Sequence, residues 1–391
     1  MLALEDRIVE IRREFPAVER GGYLNTGTVA PMPFRVLAAR QERERRFHLD
    51  GPLHRARTQA LREEVSAVRG KLAELLGVPC ERIALAENTT SGINAALLSQ
   101  AWQVGDEVLT SRAEHPAVEL PLAYLERRYG VRVVRAGEPS AALTADEVRE
   151  SLSARTRAIV ISQVSFTSGA LFDVPGISAI ARERDILTVI DAAQSVGAIA
   201  EPLSPTGADF VAFPGYKWLL GPQGTGGLYA SERATAAVEL PYRIGSHGVA
   251  SRPPGSELVL HDDARKFEGT ATSPVLDIIA LGEAVDFLLG YGLAAVAERI
   301  AGLCSLFKSG LLELGDAVSL ITPASQRWAA GLVSFKLAGV DAGEAAAALY
   351  DQGLIVRTVS GNALRASFHL YNTRSEVERL LEAVGRLIRE G

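Results

Sequence analysis

From about Ile83 to Ser231 the chain alternates short apolar runs with amphipathic stretches. IALA leads into SGINAALLSQA, EVLT into AVELPLAYLERRYG, and RAIVIS into ISAIARERD; ILTVI, DFVAF and GGLYA follow. Runs that are apolar throughout read as strands buried on both faces, and the stretches between them as covering helices. This rhythm predicts an α/β fold whose large domain holds a mainly parallel, seven-stranded-type sheet.

After FEGTATSP the pattern changes. Val275 to Leu303 is an Ala/Leu/Gly stretch at helical spacing and predicts one long linking helix. GLVSFKLAG, LIVRTV and LRASFHLY predict three more strands, and DAGEAAAALYDQG and SEVERLLEAVGRLIRE two more helices. The expected division is a large α/β domain over residues 20–265 and a small α+β domain built from 1–19 and 266–391. Residues 251–258, SRPPGSEL, read as an exposed loop. There is no internal repeat and no low-complexity tract.

Composition narrows the function classes. At 391 residues the chain is long for a single core, and 47% hydrophobic content suffices for two domains. A net charge of −6 with no basic run argues against nucleic acid or an anionic membrane surface as partner. Cys80 and Cys304 lie far apart and outside any CxxC pattern, so neither a disulfide framework nor a metal site is indicated. No apolar run reaches the ~18 residues of a membrane span, and MLALEDRIVEIRREF lacks an apolar signal core. The expectation is a soluble, unexported, cytoplasmic protein.

Two residues carry the chemistry. Asp191 ends the apolar run Ile186 to Ile190, at the strand edge where open α/β sheets bind ligands, and Lys217 follows a second such run, Phe210 to Phe213. A carboxylate for a pyridinium nitrogen and an amine able to form a Schiff base are what pyridoxal phosphate needs from a protein. AENTTSGIN opens a helix after a strand, so its backbone N–H groups and the hydroxyls of Thr89, Thr90 and Ser91 suit a phosphate, although Ser and Thr also cap helices without any ligand. His115 in RAEHPAVEL is positioned to stack on a ring, and Gln194, three residues after Asp191, to donate to the cofactor's phenolic oxygen.

With YLNTGTVAPMP, AEHPAV, VIDAAQSVG, GYKWLLGPQGTGGLY, FEGTATSP and LRASFHLYNT, these motifs resemble the class V aminotransferase family of fold-type I pyridoxal phosphate enzymes. That family includes cysteine desulfurases, cystine C–S lyases, isopenicillin N epimerase-like proteins and transaminases. The resemblance spans residues 23–373. It implies Lys217 as the Schiff-base lysine, Asp191 on the pyridine nitrogen, His115 stacked on the ring, Gln194 near the phenolic oxygen, and Thr90 with the Thr89 backbone on the phosphate. It further implies a homodimer with the active site at the subunit interface, where Thr270 reaches the neighbouring subunit's phosphate. Arg365 would hold the α-carboxylate of an amino-acid substrate, with Asn25 also contacting it.

The chain departs from the family pattern at several positions. Pro214 and Tyr216 replace a hydroxyl and a histidine before the lysine, and Tyr216 is the expected substitute on the phosphate. Phe166 and Thr167 stand where desulfurases place an asparagine over the cofactor, which leaves Thr167 as the contact there. Only TVSGNAL separates Arg357 from Arg365, and it contains no cysteine, whereas a desulfurase needs a thiolate at that point. A persulfide-forming desulfurase is therefore disfavoured, and C–S β-elimination ranks ahead of transamination and then epimerisation. Transamination would want a second arginine for a second carboxylate, with Arg35, Arg243 and Arg357 as candidates. A nucleotide-binding reading of GPQGTGG fails on position, because the segment follows the lysine and reads as a tight turn. A catalytically silent fold kept for partner binding is opposed by the joint presence of Lys217, Asp191, His115 and Arg365.

Overall fold

The computed structural model describes residues 4–51, 55–201, 203, 206–253, 255, 257–270, 273–325, 327 and 329–390. A seven-stranded sheet dominates, in the spatial order Ile83–Ala86, Gly226–Ala230, Phe210–Pro214, Leu187–Asp191, Thr156–Ser162, Glu107–Ser111 and Arg132–Ala136. Gly226–Ala230 runs antiparallel to both of its neighbours, and every other adjacent pair is parallel. The fold is α/β, as the sequence rhythm predicts.

Alternation along the strands explains why the sheet is covered on both sides. Ile159, Ile161 and Phe213 join one apolar cluster, while Ala158, Val160 and Phe210 join a second on the opposite face. The helices Thr89–Leu98 and Pro116–Tyr129 bury Ile93, Leu97, Val118 and Leu122 in the second cluster. Arg132–Ala136 escapes the apolar-run criterion because it is an edge strand carrying an arginine at position 132 and another at 135.

A second, antiparallel sheet orders Val318–Leu320, Leu332–Leu337, Ala363–Ser367 and Arg357–Val359. Near the N-terminus Gly22–Tyr23 pairs in parallel with Leu354–Ile355, and Asn25 bridges to Ser367, which sews residues 22–25 to the C-terminal part. Within and beside segment 251–258, Val249–Ser251 and Val259–Leu260 pair as antiparallel strands; Pro254 and Ser256 lie outside the described residues.

The single linking helix expected over Val275 to Leu303 is two helices, Val275–Tyr291 and Leu293–Glu313, bent by 79°. Gly292 makes the break: its φ of 84° is a left-handed conformation that glycine adopts without a Cβ penalty. Ala/Leu spacing continues through this point, so the apolar periodicity conceals the bend. Among the described residues no single helix is long and apolar enough to cross a membrane.

Candidate active site

Parallel strands deliver their C-terminal ends to one edge, and the chemistry-bearing side chains follow those ends. Thr89 comes after Ile83–Ala86, His115 after Glu107–Ser111, Phe166 after Thr156–Ser162, and Lys217 after Phe210–Pro214, while Asp191 is itself the last residue of Leu187–Asp191. This is the edge at which open α/β sheets bind ligands.

The loop carrying Lys217 is held closed by its own backbone. Gly215 N–H donates to Thr225 O at 2.7 Å, Gly221 N–H to Gly215 O at 2.8 Å, and Leu220 N–H to Lys217 O at 3.1 Å. A Cβ on Gly215 would meet Thr225 Oγ1 at 2.4 Å, so only glycine fits there. Leu220 takes φ 61°, a strained value for a leucine of the kind that clusters at functional sites. GPQGTGG ends in a tight turn around Gly224, φ 79°, before the strand Gly226–Ala230.

Lys217 is 9% exposed and its amine makes no hydrogen bond among the described residues. Burial lowers its pKa to about 8; Asp191 opposes the shift, while Arg365 and Arg357 add to it. A larger fraction of neutral amine at physiological pH is what a nucleophilic lysine requires. Asp191 is 4% exposed and accepts from Ala193 N–H at 2.8 Å through one oxygen. Burial raises its pKa, so its charge is costly without a cationic partner.

His115 caps the helix Pro116–Tyr129, with Nδ1 accepting from Ala117 N–H at 3.0 Å. That bond places the ring hydrogen on Nε2. Burial, followed by the charges of Lys217, Arg357 and Arg365, lowers its pKa to about 4, so the imidazole is neutral at physiological pH. Phe166 meets the imidazole edge-on, centroids 4.9 Å apart, and orients it.

The helix Thr89–Leu98 is capped by Asn88, whose side chain accepts from Ser91 N–H at 2.9 Å, while Ser91 Oγ–H donates to Asn88 O at 2.8 Å. The Ser91 hydroxyl is thus occupied by the cap and is not the anion donor the sequence suggested. Thr89 stays available, because its buried Oγ1 has no partner among the described residues. Thr90 is exposed at the same helix start. An orphaned buried hydroxyl beside unsatisfied helix N–H groups is a cradle for a phosphate.

Arg365 is 1% exposed, with Nη1–H donating to Phe166 O at 2.7 Å and Nη2–H to Thr28 Oγ1 at 3.0 Å, while Nε is buried without a partner among the described residues. Arg357 sits opposite it in the sheet register and also donates to Thr28 Oγ1, at 3.1 Å. Neither arginine has a carboxylate partner among the described residues. Burial, then the charge of Arg357, lowers the Arg365 pKa to about 9, which leaves it protonated at neutral pH. Thr28 passes its own hydrogen to Asn25 Oδ1 at 2.6 Å, so Asn25 supports the two arginines through this hydroxyl. Sequence reasoning missed Thr28, because nothing in TGT marks a hydroxyl whose partners lie more than 300 residues away.

The other expected residues divide. Gln194 is largely committed: Oε1 accepts from Trp218 Nε1–H at 2.9 Å and Nε2–H donates to Gly27 O at 2.9 Å, leaving one amide hydrogen for a ligand. Tyr216 is half-buried beside Lys217, and its carbonyl accepts from Ala30 N–H at 2.9 Å. The Thr167 carbonyl accepts from Ser334 Oγ–H at 2.5 Å, while its hydroxyl makes no hydrogen bond among the described residues. Thr270 Oγ1 lies 3.3 Å from His247 Nδ1; Ala271 and Thr272 of its motif lie outside the described residues. Arg35 is paired with Glu14 at 2.7 Å and Arg243 with Glu87 at 2.5 Å, so of the three candidates for a second carboxylate only Arg357 is without an acidic partner among the described residues.

Together these groups fit pyridoxal phosphate: a hydroxyl cradle at a helix start, a buried carboxylate, a buried amine of lowered pKa and a neutral imidazole. Comparison with known proteins agrees. Residues 23–380 match the family model for aminotransferase class V. A probable cysteine desulfurase 2 of Mycobacterium leprae is 31% identical, covering 97% of this chain and 96% of that one. The isopenicillin N epimerase of Amycolatopsis lactamdurans is 30% identical over 93% and 94% of the two chains. In fold, the chain resembles the cystine C–S lyase C-DES, solved with its product cysteine persulfide, with TM-score 0.88, 24% identity and coverage of 95% and 99%. The chain belongs to the class V aminotransferase family, the pyridoxal phosphate enzymes whose motifs it carries from Tyr23 to Thr373.

Proposed function

We propose that this enzyme cleaves the C–S bond of a cystine-type amino acid by β-elimination. The observation that carries the reading is the pair of guanidiniums without acidic partners, Arg365 and Arg357, converging on Thr28 Oγ1 at 3.0 and 3.1 Å. Of the charged groups that act on Lys217, Arg357 and Arg365 are basic and Asp191 is acidic. A cofactor phosphate is accommodated separately, by Thr89, Thr90 and their helix start. The remaining positive charge calls for a substrate with two negative groups, such as cystine with its two carboxylates.

When bound, pyridoxal phosphate supplies an electron sink for the carbon bearing the amino group. Asp191 would keep the ring nitrogen protonated, and neutral His115 would lie against the ring face. Lys217 would hold the cofactor covalently at rest. Once displaced by the substrate amine, it would take the Cα proton, a task suited to an amine with pKa near 8. Arg365 would clamp the α-carboxylate and Arg357 the distal one, fixing the Cα–H bond toward Lys217. The sulfur then departs without a nucleophile.

Both cysteines are poorly placed for desulfuration by thiol attack. Cys304 is fully buried in the helix Leu293–Glu313, where burial pushes its pKa up to about 12. Cys80 lies just before the strand Ile83–Ala86, at the sheet edge opposite the site. Transamination of an acidic amino acid is the second reading, favoured by the same Arg357. A dimer with Thr270 completing the partner's site belongs to the proposal. So does the division into residues 20–265 against 1–19 with 266–391, supported by Arg12 donating to Tyr371 O at 2.9 Å and pairing with Glu376 at 2.8 Å.

The test is the visible spectrum of the purified protein before and after addition of L-cystine, with pyruvate assayed in the same sample. A yellow band that persists while pyruvate accumulates is expected. Bleaching without pyruvate would overturn elimination in favour of transamination, and pyruvate production by Lys217→Ala at the wild-type rate would overturn the role of the lysine.

A further inference from the structure

Glu114 sits where the strand Glu107–Ser111 passes into the helix headed by His115, and it is 7% exposed. Its carboxylate is filled by donors rather than balanced by a cation. Ser111 Oγ–H donates at 2.6 Å, Ser162 Oγ–H at 2.6 Å, and Ser162 N–H at 3.0 and 3.1 Å to its two oxygens. Donors alone do not explain an acid here, since a glutamine could accept the same N–H bond without the cost of a buried charge.

Its surroundings supply a reason. Ser162 is the register partner of Asp191 on the adjacent strand, and Gln163 N–H donates to Asp191 O at 2.9 Å. One strand end therefore holds the Glu114 carboxylate by its side chain and N–H group, and the Asp191 backbone by the next peptide. The charged group acting on Glu114 is Asp191, one strand beyond Ser162; His115 adjoins it in sequence, and Ser111 and Ser162 face it with hydroxyls. Burial foremost, then the charge of Asp191, pushes the Glu114 pKa up to about 7 against the pull of its donors. Coupling between two titrating sites is mutual, so an ionised Glu114 strengthens proton binding at Asp191 and at whatever Asp191 faces.

We propose that Glu114 is a positioning residue that acts through Asp191: its buried carboxylate, tied to Ser162, holds the proton on the ring nitrogen that Asp191 faces. This rests on Asp191 facing the pyridine nitrogen. Aligning the His115 cap is a consequence of the same anchoring, one residue along.

The experiment follows the pyridine nitrogen of ¹⁵N-labelled cofactor by NMR across pH in the holoenzyme, for wild type, Glu114→Gln and Asp191→Asn. Glu114→Gln is expected to lower the apparent pKa of that nitrogen by about one unit, the effect of removing one nearby like charge from Asp191. Cofactor affinity and KM should hold while kcat falls several-fold. Melting of the cofactor-free protein gives an independent readout. Wild type should lose stability as pH rises from about 4.5 to about 7, because the folded state retains a proton on Glu114 that the unfolded chain releases; Glu114→Gln should lack that component.

An unmoved nitrogen titration in Glu114→Gln, with Asp191→Asn shifting it, would overturn the inference and leave the role of Asp191 intact. If neither variant shifts it, the assignment of Asp191 itself fails. Should Glu114→Gln not fold, Glu114→Ala removes the same charge and must lower the nitrogen pKa in the same direction. A folded Glu114→Ala protein without that shift would also overturn the inference.

Discussion

In the proposed reading Arg365 and Arg357 bind the two substrate carboxylates, and burial separates the two side chains. Arg365 is 1% exposed and fixed at both ends of its guanidinium, whereas Arg357 is exposed and tethered through Thr28. Replacing Arg365 with alanine should raise KM by about 100-fold, the worth of two charge-assisted hydrogen bonds, and leave cofactor affinity unchanged. Arg357→Gln should penalise L-cystine about tenfold and spare amino acids with one carboxylate. Steady-state kinetics with a parallel cofactor titration checks both, and equal loss of substrate and cofactor binding in Arg365→Ala would remove its carboxylate role. Lys217 and Asp191 could be read in the sequence because each follows an apolar run that ends at the binding edge. The commitment of Gln194 to Trp218 and Gly27 could not, since its partners are a buried indole and a backbone carbonyl 167 residues away.

Helix boundaries follow backbone conformation where apolar spacing gives no signal. The stretch from Val275 to Glu313 keeps its helical periodicity through Gly292, yet the chain turns there by 79°. Gly292→Ala should destabilise the protein by about 1–2 kcal/mol, the cost of a left-handed φ for a residue with a Cβ. Gly290 is the control: it lies inside the helix, nothing stands within 4 Å of a Cβ there, and alanine should stabilise by about 0.5–1 kcal/mol. Thermal melting of the two variants should therefore move in opposite directions, and a Gly292→Ala melt coincident with wild type would remove the argument for the break. Short apolar strands were legible because burial on both faces leaves a run with no polar interruption. Arg132–Ala136 was not, since an edge strand keeps one margin in water and its arginines resemble a loop.

Across the molecule the candidate site draws on segments distant in sequence: residues 25–28, the ends of five parallel strands, and Arg357 and Arg365 of the second sheet. Beside Thr270 lies an exposed apolar stretch, with Leu240 58%, Tyr242 42% and Ile244 47% exposed, and a Cβ on Gly245 would strike the Thr270 backbone. If this face packs against a second copy, as the proposed dimer requires, Ile244→Asp should yield monomers by light scattering and weaken cofactor binding, because Thr270 would no longer reach the neighbouring phosphate. A fully active monomer would refute that assignment of Thr270.

Periodicity is a local property, written in repeats of two or about 3.6 residues, so the alternation of strands and helices, the α/β class and the strand ends bearing Asp191 and Lys217 were all legible along the chain. The partners of buried polar groups are not local. Which strand lies beside which follows from covering both faces of one sheet, and that packing sets Glu114 against Ser162 and places Ser162 beside Asp191. The same packing brings Thr28 between Arg357 and Arg365 and leaves Thr89 Oγ1 and Arg365 Nε without partners among the described residues. Desolvation, which shifts Lys217 to about 8 and His115 to about 4, exists only once the chain has closed around them.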